Sequence, residues 1–162
     1  MEIETAARKL LLAHPEINGY VSQKIYKFTL EEHVDGTGGS AIVVRRGSGW
    51  ASSDTVKTSE FPTLYVDCWS DASREDGEIV VDNAVDRALA IARSVDRFLH
   101  GQRDEMWGQT SPGTGLRVIT CHRWNDVYFA TAKDVHGQGD LPDTPRGNSA
   151  VATIQFALQV AH

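Results

Sequence analysis

Six histidines, two cysteines and a surplus of acids are the side chains in this chain that could do chemistry. His14, His33, His100, His122, His136 and His162 are scattered, with no HExxH pair and no helical histidine couple. Cys121 and His122 are adjacent, and neighbours on a strand point to opposite faces, so they do not readily share a metal. Gly36-Thr-Gly-Gly-Ser40 lacks the lysine and following helix that a phosphate-cradling loop needs, and Gly113-Thr-Gly115 precedes a strand-like run instead of a helix. There is no GxSxG elbow, and no serine sits in the context of an activated nucleophile. Carboxylates are plentiful, but acid–base catalysis needs them to converge in a pocket; their spread reads as a solvated acidic face. The expectation is a protein with no catalytic residues, no metal and no cofactor.

The residues left as candidates are contact residues. Arg45 and Arg46 close an apolar run; they would either meet a partner or a nucleic-acid phosphate, or simply carry a strand end into solvent. Trp50 and Trp107 lie in polar stretches, where a large ring is costly to expose. Such rings anchor either an interface or a local core. Trp69 and Trp124 stand at the ends of strand-like runs and are expected to cap the core.

The elements that would position these groups follow from periodicity. Asp76 to Gly101 predicts one long amphipathic helix, because Val81, Val85, Ala88, Ala92, Val95 and Leu99 recur at helical spacing. Acids at its start and Arg93 and Arg97 near its end suit the helix dipole. Ser73 with Asp76 offers a capping pair, and Gly101 a stop. Residues 2–13 predict a short helix ended by His14-Pro15, and Asn18-Gly19 a turn. Strands are predicted at Tyr20 to Leu30, Ala41 to Arg46, Thr63 to Trp69, Leu116 to Trp124, Val127 to Lys133 and Val151 to Val160. In the last, Ala152, Ile154, Phe156, Leu158 and Val160 form one core face. Loops are predicted at about 31–40, 47–60 and 134–149. The order of elements predicts an α+β fold, a mainly antiparallel sheet with one long and one short helix on one face.

The 162 residues suit one domain. A formal charge of -6 argues against gripping nucleic acid by counterion release. Much of that charge is local: residues 71–105 hold nine acids against five arginines. Cys68 and Cys121 sit in apolar strand-like runs and are expected as buried free thiols. No apolar run approaches the roughly 18 residues of a membrane span. The first ten residues suggest an amphipathic helix and no secretory signal, so a reducing cytoplasm is expected.

Several of these segments occur together in a known arrangement. A short first helix runs into LLAHPEI, then come AIVVRR and a Pro-x-Leu-x-Val-Asp-Cys-Trp strand. VDNAVDRALAIARSVDRFLHG, a DLPD-containing acidic loop and a closing VATIQFALQV strand complete it. Taken as a series, this resembles the tail terminator (tail completion) proteins of long-tailed bacteriophages, particularly actinobacterial siphophages. The resemblance implies a structural virion protein and not an enzyme. It implies a homo-oligomer, a hexameric ring, that caps the major tail tube protein and presents the head–tail joining surface to a neck connector or stopper. Genomic DNA would pass through without specific binding, and the site would be the tail–neck junction of a virion assembled in the host cytoplasm. The 47–59 loop and the Trp107 connection exceed the basic pattern, so no role is carried onto them. Other readings are another neck component, a small ligand-binding or catalytic α+β domain, and an acidic inhibitor that mimics nucleic acid.

Overall fold

Alternating apolar residues build the centre of this molecule. The computed structural model describes residues 3–27, 39–47, 50–51, 59–80, 82–101, 117–131 and 149–161. Ala150–Ala161 forms the twelve-residue strand β10, and Ala152, Ile154 and Phe156 are fully buried along one face. On one side β10 pairs antiparallel with β5 (Thr63–Ser70) and then β4 (Ser59–Phe61). On the other it pairs with β9 (Tyr128–Thr131) and β8 (Arg117–Arg123). Beyond β5 lies β2 (Ser40–Arg46), then β1 (Ile25–Lys27), which is parallel to β2. β3 (Trp50–Ala51) pairs with β4 and completes an eight-stranded, mostly antiparallel sheet.

One face of this sheet is backed by helices α1 (Ile3–Ala13), α2 (Pro15–Val21) and α3 (Asp82–Leu99). From α3, Ala84, Ala88, Ile91, Ala92, Val95 and Leu99 meet Leu64, Val66 and Cys68 of β5 and the inward residues of β10 in one core. The predicted α+β class and the core face of the last strand are therefore as observed. Val81, the first residue of the predicted helical stripe, lies outside the described residues.

The structure corrects the sequence reading in several places, among them the predicted 47–60 loop, where β3 and β4 lie. Residues 73–80 are a hairpin, β6 (Ser73–Glu75) and β7 (Glu78–Val80), and α3 begins only at Asp82. Asp76 and Gly77 form its two-residue turn with φ of 49° and 83°. Asp-Gly is a pair suited to a loop with both central φ positive, and that local preference outweighs the helical appearance of the flanking acids. Pro15 does end α1, but it also opens α2, because a proline at the first helical position gives up no bond the helix needs. His14 serves as the cap of α2, its ring packed on Phe98 with centroids 4.3 Å apart. Asn18 and Gly19 thus lie within a helix, and Tyr20 precedes the strand instead of starting it.

α2 and α3 are tied by a polar cluster. The Ser94 hydroxyl donates to Glu16 Oε1 at 2.7 Å, and Arg97 Nη2 donates to the same oxygen at 2.8 Å. The Ser94 hydrogen bond, with the Arg97 charge behind it, holds the Glu16 carboxyl below its ordinary value. The ion pair is exposed at both ends, so its net worth is small. Since the folded value lies below the unfolded one, this contact favours folding above the unfolded pKa. The contribution fades as pH falls through the folded value. In Ser94→Ala the Glu16 titration, followed by carboxyl NMR, is expected to move upward; an unmoved midpoint would assign the depression to Arg97 instead.

The last turn of α3 also closes a sheet edge. Gly101 N donates to Cys121 O at 2.8 Å, and Arg123 N donates to His100 Nδ1 at 3.0 Å. Both β8 groups point away from β10, so the helix end occupies bonding positions that an edge strand would otherwise offer to another chain. Arg123 Nη1 adds a bond to Asp96 Oδ2 at 3.1 Å, and His122 meets His100 edge-on with centroids 5.6 Å apart. These histidines are thereby accounted for structurally.

Candidate assembly surface

The alternation of β5 sends Leu64, Val66 and Cys68 to the helices and Tyr65, Asp67 and Trp69 to the opposite face. Asp67 is buried there at 6% exposure. It can be buried because the register brings it between Val43 of β2 and Thr153 of β10. Thr153 Oγ1 donates to Asp67 Oδ1 at 2.7 Å. Arg45, two residues along β2 from Val43, reaches the same carboxylate with both arms of its fork, Nε to Oδ2 and Nη2 to Oδ1. Its guanidinium carbon lies 5.1 Å from the Tyr65 ring centre. The bond to Asp67 raises the Arg45 pKa beyond its already high value, against the opposing pull of burial. Three strands are thus stitched across their outward face by one carboxylate.

Arg46 is more exposed and pairs with Glu60 of β4 at 3.0 Å. Both arginines of the AIVVRR run therefore hold partners within the chain, which leaves neither as a bare cation for a phosphate. Trp50 pairs through its backbone with Phe61 in the β3–β4 ladder. Trp107 and most of the three predicted loops lie outside the described residues. The structure brings Arg45 and Arg46 to one end of β2, with β3 next in sequence.

The expectation for Trp124 is overturned. Its side chain is 68% exposed, the most exposed of the large apolar residues described. It stands where β8 gives way to β9, with its backbone N–H bonded to Gln155 O at 2.7 Å and Asn125 Nδ2 bonded to Gln155 Oε1 at 2.9 Å. The first bond ties the backbone of the break to β10, the second bridges two side chains beside it, and the indole lies outside. Trp69 is half-buried on the face opposite the helices.

Cys68 and Cys121 are buried and unpaired, as expected. Burial pushes the Cys68 thiol strongly upward and the Cys121 thiol up to about 12, which keeps both from acting as nucleophiles at neutral pH. Among the described residues no three histidine, cysteine or acidic side chains gather as a metal site. Nor is any described helix long and apolar enough to cross a membrane.

These features define an α+β protein in which a long central strand and its antiparallel neighbours carry a three-helix layer on one face. The same fold occurs in a chain of the virion of a native gene transfer agent particle, with a TM-score of 0.58 over 99% of this chain and 95% of that one. Sequence identity is 14%, so the likeness is one of fold. The sequence matches no family model and no curated protein sequence.

Proposed function

We propose that this chain is a structural virion subunit of the tail-terminator kind, which forms a ring on the end of the tail tube and works by assembly instead of catalysis. The observation that carries the reading is the end-to-end fold match with a chain of a phage-like virion particle. It agrees with the terminator-like order of segments in the sequence. A ring closes through unlike patches on successive copies, and six copies are the expected number. One face would meet the major tail tube protein and the other a neck connector or stopper, at the tail–neck junction. The charge of -6 and the internal pairing of Arg45 and Arg46 support a lumen through which DNA slides without being held.

The test is the mass of the purified chain by light scattering, alone and after mixing with isolated tail tubes. A ring, free or on the tube end, is expected. Binding to isolated heads in place of tubes would make it a connector, and a monomer indifferent to both would end the virion reading.

A further inference from the structure

The sheet loses its regular pairing on several strands at one level. Between the pairs Arg46–Leu64 and Trp50–Phe61, the chain advances four residues on the β2–β3 side against three on the β5–β4 side. Gly47, at the start of that step, donates its N–H to Thr63 O at 2.7 Å. A Cβ at Gly47 would overlap the Tyr65 ring, so the close approach needs glycine.

Next to Thr63, Pro62 divides β4 from β5. It accepts from Leu158 N at 3.1 Å, but with no N–H of its own it cannot return the bond to β10. One residue further along β10, between Gln159 and Val160, the pairing with β8 shifts as Ile119 is skipped. The irregularities at Gly47, Pro62 and Gln159/Val160 form a line across the sheet.

The line also separates two kinds of surroundings. On one side β1, β2, β5 and most of β10 are backed by the helices. On the other, among the described residues, β3 and β4 make their main contacts with each other and with the end of β10, whose Val160 still reaches the core. Strands without a packed layer behind them open more easily than strands in the core.

We infer that this line is a hinge across the sheet, about which the part carrying β3, β4 and the last residues of β10 tilts against the helix-backed part when the chain docks in its assembly. The docking role rests on the ring reading above; the hinge does not. In the isolated wild-type chain the amides of Glu60, Phe61 and Val160 are expected to exchange at least about tenfold faster than those of Val66 and Ile154. Pro62→Val restores the missing N–H and is expected to slow exchange at Glu60 and Val160 by about tenfold. Equal protection on both sides of the line in the wild type, which needs no variant to fold, would overturn the hinge, as would an unchanged pattern in a folded P62V. For the docking role, P62V is expected to bind tube ends about tenfold more weakly than wild type, and equal binding by a stiffened sheet would refute it. If the wild type shows the exchange gradient yet neither forms rings nor binds tubes, the hinge stands and the ring reading fails.

Discussion

Phe156→Ala is expected to destabilise the folded chain by about 3–5 kcal/mol, the range for truncating a buried aromatic side chain. Phe156 is fully buried, and it lies on β10 opposite Leu64 of β5 and Arg123 of β8. Its ring belongs to the same core as α3, so deletion leaves a void bounded by sheet and helix that neither can close alone. For a chain of this size such a loss lowers the melting temperature by roughly 10 °C. Chemical denaturation should show a lower midpoint with an unchanged slope. A loss under about 1 kcal/mol would mean that the sheet and α3 collapse onto the site, against the rigidity expected of a packed core.

The second large effect belongs to the outward face. Arg45→Ala is expected to cost about 3 kcal/mol, because it leaves the Asp67 carboxylate buried with Thr153 as its remaining hydrogen-bond donor. Asp67→Asn should cost less, about 1–2 kcal/mol, since the Arg45 side chain is 42% exposed and its guanidinium can turn to water. The double variant should be more stable than the two losses summed, because Arg45→Ala strands a buried carboxylate charge that the double change removes. A double-mutant cycle by urea denaturation reads this directly. Additive losses would show that the carboxylate and guanidinium act independently despite their geometry.

Periodic features were the legible ones. The closing strand announces itself from Val151 to Val160 because every second side chain is apolar, and α3 because its apolar residues recur on one helical face. Both signals are local and repeat several times. The hairpin at 73–80 was hidden by chemistry that resembles a helix start: Ser73, Glu75 and Asp76 suit a cap as well as a turn. Asp76-Gly77 was the signal that could have found it. Pro15 misled in a related way, since a proline that ends one helix is also a good first residue of the next.

The outward face was legible only in part. Alternation places Asp67 with Tyr65 and Trp69, and that much can be read from TLYVDCW. That Arg45 and Thr153 reach the same carboxylate depends on the register of three strands separated by up to 108 positions of sequence, residues 45 to 153, and no local pattern encodes it. Trp124 shows the converse failure. A tryptophan at a strand end suggests a capped core, but the Trp124 backbone bonds Gln155 O at a strand break and its ring stands in solvent.

The helix end that occupies the β8 edge has a consequence for the chain before it meets any partner. Newly made copies accumulate side by side, and an open strand end in a half-apolar sheet invites them to join backbone to backbone in stacks without limit. With Cys121 O and Arg123 N already satisfied by Gly101 and His100, that stretch of edge cannot seed such growth. Along that stretch of β8, contact with another copy is left to side chains.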